Sequence, residues 1–504
     1  MTPRFPTWIL LGAVVLALGY LPTLHTPFDF IDDGNLVYPA QTGLSFGGHV
    51  ALWWEKVVAN YEHLGPFRPV VWAHWELFAN VCGGEALPWR MIRFVWCGLS
   101  AGMLLWLFRE LRIHPVAALI AGACAMWNPY RNEIWTSLTL AEGVAMPYAL
   151  LGLIAARKAA HSTRPLWWDL VSILCVMAAL GCKNTYTALI PAQMALRLWT
   201  DGLTLREAWY RNRIRSLRLS LTLAIPVAHY VYFKLHWHAG QYETHAPSVA
   251  QFGRIVNTWK GAIGLDFLGV GFALALGVVL YSRRKMIATS NIWATHRAAI
   301  VTATLLLLAG IVVYLPMSMM SGRYAMPGVW GLDLLIGLLL TSLIAVPASV
   351  PKKVAWAAVW VGVTLLTIAN VGRQEKFAAR ARMLWDAIEY VEATAPPGTK
   401  IAWHSGTTPS RDLNVEEGIH FRWHLLHRGR SDATVGLFDL EGRPLDRVEI
   451  TPFTGDADYR FCGTPTGAAG WSEEHHFAVP YWVGRKQYEC HLGRRQAIGM
   501  AKLR

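Results

Sequence analysis

Apolar runs long enough to cross a lipid bilayer recur along the first three quarters of the chain, and that recurrence constrains its fold more than any other feature. A span needs about 20 residues. About eleven such runs are readable, near 7–24, 90–108, 115–128, 137–156, 167–182, 185–200, 217–235, 262–282, 298–316, 326–346 and 353–371. Composition agrees, with 54% of residues hydrophobic and 16% charged, against roughly 25% charged in soluble domains. Disorder, collagen-like repeats and coiled coils are excluded, and an all-α polytopic membrane protein is predicted. The first run follows Met1–Arg4 without a small-x-small cleavage site, so it reads as an uncleaved anchor.

Loops rich in Lys and Arg resist translocation and stay cytoplasmic. Placing the N-terminus inside puts Arg109, Arg157, Arg197, Arg215, Arg284 and Lys353 with the richer set of loops. The net charge of +13 is then mostly a topology signal, and a nucleic-acid partner is not expected. An odd number of spans carries everything after residue 371 to the far side. The expected organisation is a transmembrane domain over 1–371, with a long first extracytoplasmic loop at 25–89, and an extracytoplasmic α+β domain over 372–504.

The tail differs in composition. Phe377, Met383, Leu384, Ile388 and Val391 form an apolar helical stripe over Arg373–Ala395, and strand-like runs follow Pro396–Pro397 near 400–403, 433–440 and 447–450. Cys462 and Cys490 are the two cysteines of this part, and an oxidising compartment makes a disulfide between them an expectation. His236, His238, Glu243 and His245 read better as an aromatic-rich loop on the membrane surface than as metal ligands.

Ionisable residues beside spans are costly unless paired or facing water, so they point to function. The first far-side loop opens with Asp29, Asp32 and Asp33, the last two adjacent, and like charges side by side raise one another's pKa, as suits a proton acceptor near neutral pH. The loop continues through an amphipathic stretch, 51–63, to Phe67–Arg68–Pro69. The short far-side turns bring Arg131 and Glu133, then Lys183, then Arg323 and Tyr324. Topology alone therefore gathers acids and bases on one membrane face, where they could handle an anionic headgroup whose tail stays in lipid. Glu142 and Asp266, within or beside spans, read as structural partners or cavity residues.

These motifs resemble the GT-C glycosyltransferases, specifically the membrane part of protein O-mannosyltransferases with tetratricopeptide repeats and their bacterial relatives. Asp32–Asp33 match the family's acidic pair, and Phe67–Arg68–Pro69 its aromatic-Arg-Pro. Asn128–Glu133 match a His-Pro-x-x-x-Glu-like turn with Asn for His, Lys183–Asn184 with Pro191 a Lys-Glu and later Pro without the acid, and Arg323–Pro327 an Arg-Tyr-x-x-Pro turn without the leading Glu. No 34-residue repeat is readable in 372–504.

The resemblance implies an inverting enzyme that moves a sugar from a polyprenyl-phosphate donor to a hydroxyl of a protein, lipid or glycan acceptor. Asp32 would be the general base and Asp33 would share that role or orient the acceptor. Arg323, Lys183, Arg131 and Arg68 would bind the donor phosphate, with Glu133, Tyr324 and Glu142 in support. No cofactor is implied for certain, and a divalent metal stays open. Two other classes use similar charges: a lipid or solute transporter or flippase, and a polysaccharide ligase or polymerase. The expected setting is a cell inner membrane, with the N-terminus cytoplasmic and the C-terminal domain periplasmic.

Overall fold

The computed structural model describes residues 6–29, 33–41, 44–64, 67–199, 203, 205–224, 226, 228, 248–286, 292–315, 322–404, 411–438, 444, 453, 457–465, 477–483 and 486–494. Asp32, the 236–245 loop and the strand expected at 447–450 lie outside these, as does about half of the apolar run at 217–235. The helices, numbered among the described residues, begin with α1 Thr7–Leu18, α2 Gly34–Gln41, α3 Phe46–Leu64, α4 Pro69–Cys82, α5 Ala86–Glu110 and α6 Pro115–Met126. They continue with α7 Glu133–Thr136, α8 Ala141–His161, α9 Pro165–Cys182, α10 Leu189–Leu198, α11 Leu205–Arg218 and α12 Val249–Ala262. The last are α13 Leu265–Met286, α14 Ile292–Tyr314, α15 Trp330–Ala345, α16 Val350–Thr394 and α17 Arg411–His427.

Five of these are long and apolar enough to cross a membrane: α5, α9 and the apolar parts of α13, α14 and α16. Three shorter ones, α1, α6 and α15, are apolar too. Their outer faces confirm the environment. On α1, Ile9, Leu16 and Ala17 are buried while Leu10 and Leu11 are about 60% exposed, so apolar residues face both the core and the outside. Water would penalise that surface and lipid chains cover it, which makes this a polytopic membrane protein.

Small residues let the helices approach. A Cβ on Gly98 or Gly102 would lie 3.6 or 3.4 Å from Ala17 or Ala13, which fixes α1 and α5 as antiparallel neighbours. Gly264 and Gly271 of α13's start and first turns meet Leu366 and Val359, so α13 and α16 are antiparallel as well. Gly328 touches Gly310 across α14 and the turn before α15.

The division expected at 371/372 falls inside a helix rather than at a break. α16 is continuous over 45 residues, capped at its start by the Ser349 hydroxyl and ended before Pro396. The amphipathic stripe after 372 prolongs the apolar span without an interrupting proline, so one helix of about 68 Å, at 1.5 Å per residue, joins the two regions.

Beyond α16 lies a five-stranded sheet of order β2-β1-β3-β5-β4, with β1 Lys400–His404, β2 Thr434–Phe438, β3 Tyr459–Pro465, β4 Phe477–Val483 and β5 Lys486–Arg494. β1 runs parallel to β2 and β3, and β5 antiparallel to β3 and β4. α17 forms the crossover between β1 and β2. Register pairs Cys462 with His491 and Cys490 with Gly463, so the two cysteines sit on adjoining strands without being cross-strand partners. α17 docks this domain on the first loop. His424 is buried with its ring 5.4 Å from Phe28 and 5.6 Å from Trp385 of α16, and His420 lies against the backbone of Gly34.

Candidate functional site

The turns at the C-terminal-domain end of the bundle collect the charged residues, and the structure sorts them into a brace and a cluster. The brace is built first from Arg131. Its turn is set by Asn128, whose side chain bonds the carbonyls of Gly261 and Ala262, and its guanidinium grips Asp333 of α15 through two 2.8 Å bonds while Nε donates to Ala262 O. Both side chains are essentially inaccessible, at 1% and 0%. Arg131 is thus held as a cross-link between the 128–136 turn, α12 and α15.

Asp33 is similarly enclosed. Its carboxylate accepts from the Asp29 N–H at 2.9 Å and the Thr139 hydroxyl at 3.3 Å, and Arg90 stands 3.9 Å away. Arg90 donates to Thr26 O and Pro27 O at 3.1 and 2.8 Å and also to Thr136 O, while Arg93 reaches Leu138 O. Two cations one helical turn apart on α5 therefore staple the first loop to the 136–140 segment. Arg93 also lies against Gly143 and within electrostatic reach of both Asp33 and Glu142, linking this staple to the second group.

That second group centres on Lys183, at the end of α9. Its ammonium pairs with Glu142 in the first turn of α8 and sits 4.2 Å over the ring of Tyr324. Arg323 covers the same ring, with its guanidinium carbon 5.0 Å from the centroid, bonds the Tyr324 hydroxyl at 3.3 Å and pairs with Glu133 at 3.3 Å. Arg68 approaches because Pro69 and Val70, opening α4, press against Gly181. Burial, with Arg323 and Arg68 nearby, pushes the Lys183 amine down to about 8 although Glu142 opposes the shift.

Six residues singled out in the sequence thus meet here: Arg68, Glu133, Glu142, Lys183, Arg323 and Tyr324. The Nε atoms of Arg68 and Arg323 are buried and make no hydrogen bond among the described residues, so two guanidinium donors remain to be satisfied. Glu142 and Glu133 each hold a side-chain cation at this cluster. Among the described residues no group of three or more His, Cys, Asp or Glu is arranged to hold a metal.

An apolar groove of about 510 Å³ runs along the bundle. Its walls are Thr187 to Trp199, chiefly α10, and Val301 to Val313 of α14, with Trp209 and Leu223 at the far end. Each wall spans thirteen residues, which at 1.5 Å of rise per residue corresponds to about 18 Å. Thr187 follows Lys183 by one short turn, and Val313 precedes Tyr314, whose ring is 6.3 Å from Tyr324. The groove was not legible in the sequence, since its residues read as ordinary span. Nor was Asp333, hidden in an apolar run, although an intramembrane carboxylate demands a cation and Arg131 was the one at its level.

No family model matches this chain, and no curated protein does. Among solved structures, it is similar to the crystal structure of ArnT from Cupriavidus metallidurans bound to undecaprenyl phosphate, at 12% identity and a TM-score of 0.45, over 98% of this chain and 99% of that one.

Proposed function

We propose that the protein is a membrane glycosyltransferase of GT-C type that uses a polyprenyl-phosphate-linked sugar. Two features together support this reading: three cations, Arg68, Lys183 and Arg323, gather at the turns, and an apolar groove along α10 and α14 has Thr187, one short turn after Lys183, among its lining residues. A ligand that satisfies both parts has an anionic head and a long hydrocarbon tail. Negative charge grows on the departing phosphate as the glycosidic bond breaks, and preorganised cations in a partly dry site stabilise it more than water does. Arg323 is held in place by Glu133 and Tyr324, and Lys183 by Glu142, so little reorganisation is needed.

Asp32 is the proposed general base. Asp33, its neighbour, is anchored by the Asp29 N–H and Thr139, which supports a role for Asp33 in fixing the loop that carries the base. In-line attack by an acceptor hydroxyl, its proton passing to Asp32, would invert the sugar anomer. Arg131, bound to Asp333, acts as a brace in this scheme. The cluster and the C-terminal domain occupy the periplasmic side under the basic-loop rule, and the membrane is the inner membrane. The domain's contact with Phe28 and Gly34 supports a part for it in acceptor access.

The test is donor-dependent sugar transfer by the purified protein in detergent, with wild type and Asp32→Asn compared. Transfer by wild type alone is the expected result. A lipid transporter would use the same groove and cations, but it needs a sealed bilayer, so absence of transfer in detergent together with donor-lipid movement in proteoliposomes would replace this reading.

A further inference from the structure

α11 turns a small, polar face inward and a basic, apolar face outward. The inner face carries Ala208, Asn212 and Ser216, all buried and four residues apart. Asn212 donates its side-chain amide to Leu198 O at 3.0 Å and Ser216 its hydroxyl to Met194 O at 2.8 Å, so α11 packs antiparallel on the last turns of α10. Arg197, on those same turns, pairs with Asp169 near the start of α9. Lys183 stands fourteen residues beyond Asp169 at the other end of that helix, or about 21 Å at 1.5 Å per residue. α11 therefore lies at the opposite end of the bundle from the Lys183 cluster.

On the outer face Tyr210, Ile214 and Leu217, spaced four and three apart, form an exposed stripe, and Leu221 and Leu223 just beyond α11 are exposed as well. Helical spacing puts Arg206 and Arg213 on one side of that stripe and Arg211, Arg215 and Arg218 on the other. All five arginines are exposed, and among the described residues none of them forms an ion pair. Arg206 and Arg213 converge on one ring, each guanidinium carbon 5.8 Å from the centroid of Tyr210. Two like charges held beside one side chain repel each other, and an anion between them removes that cost. We infer that this face of α11 is a binding site for an anionic membrane phospholipid, its phosphate beside Tyr210 within reach of Arg206 and Arg213 and its acyl chains along Ile214 and Leu217. Free phosphate or a nucleic acid would answer the arginines and leave the stripe bare, whereas a zwitterionic lipid would cover the stripe and bring no net charge. The arginines thereby gain a role beyond setting topology. The site is independent of the sugar-transfer reading, since it lies at the far end of the bundle from the cations used there.

Native mass spectrometry of the full chain in detergent, titrated with phosphatidylglycerol or with phosphatidylcholine of identical chains, tests it. Wild type should bind phosphatidylglycerol tenfold or more tightly than phosphatidylcholine. Arg206→Gln/Arg213→Gln should weaken phosphatidylglycerol about 25-fold, at roughly fivefold per cation, and leave phosphatidylcholine unchanged. Arg206→Lys/Arg213→Lys, which keeps both charges, should retain the preference, and so should Lys183→Met. Equal binding of the two lipids by wild type would overturn the assignment and leave the face to an acidic protein partner. A preference lost in Lys183→Met but kept in Arg206→Gln/Arg213→Gln would overturn it too, by placing the lipid at the other cluster. The same loss in the Lys variant as in the Gln variant would also overturn it, because charge would then not be what holds the lipid.

Discussion

The Arg131–Asp333 pair offers a sharp test, because the sequence places Arg131 among the anion-binding candidates whereas the structure encloses it. Consider Asp333→Asn. The carboxylate accepts two 2.8 Å charge-assisted bonds, both partners are 1% exposed or less, and the guanidinium Nε is directed to Ala262 O. Neutralising Asp333 leaves a buried cation without its counter-charge, a loss of roughly 3–5 kcal/mol. Removing both charges with Arg131→Met/Asp333→Leu replaces an ion pair by apolar contact and should restore most of that, to within about 1–2 kcal/mol of wild type. The assay is thermal denaturation of purified protein in detergent, followed by the monodisperse fraction, with binding of polyprenyl phosphate measured on whatever stays folded. The double variant should be stable and bind the lipid. If Arg131→Met is as stable as wild type yet loses lipid binding, the guanidinium serves the ligand and the bracing role is wrong.

Lys183→Met should reduce sugar transfer by about 100- to 1,000-fold, the usual effect of removing one charge-stabilising donor, without loss of membrane insertion. Because burial holds the Lys183 amine near 8, its charge disappears as pH rises through 8; lipid-phosphate binding should weaken between about pH 7 and 9 in wild type and stay flat in Lys183→Arg, and identical profiles would remove Lys183 from the site. Ala309→Trp, which fills the 510 Å³ groove, should impair lipid binding while leaving the charge cluster intact, as read by native mass spectrometry. Burial, with His420 and His427 nearby, keeps His424 neutral far below the ordinary histidine range. The undocked ring takes a proton near 6.5, so docking of α17 should weaken as pH falls below about 6.5, and protease cleavage between 395 and 433 should rise at pH 5 in wild type more than in His424→Leu.

The bundle was legible in the sequence because a span advertises itself by length and apolarity, and the Lys183, Arg323–Tyr324 and Glu133 turns because a charge at a span end has few bland explanations. Arg68 was found through its Pro neighbour, which turns out to seat α4 against Gly181. What stayed hidden is non-local. Glu142 was noticed without its partner, and Asp333 was lost inside a hydrophobic run, since pairing across some 200 residues of chain leaves no local trace. The composition shift at 371/372 falls inside α16, which keeps one helical phase through it, so composition changes where the helix does not. In the C-terminal domain β1 emerged from its pattern, but its parallel pairing with both β2 and β3, and the helix α17 between them, rest on contacts that no window of sequence contains.

The central claim is that one anionic amphiphile unites the cation cluster and the groove. A cryo-electron microscopy map of the protein with added polyprenyl phosphate addresses it directly. The phosphate should lie within hydrogen-bond distance of Lys183 and the Nε of Arg68 and Arg323, with the isoprenoid running between α10 and α14. Density for the lipid elsewhere on the bundle, with that groove empty and the three cations untouched, would contradict it.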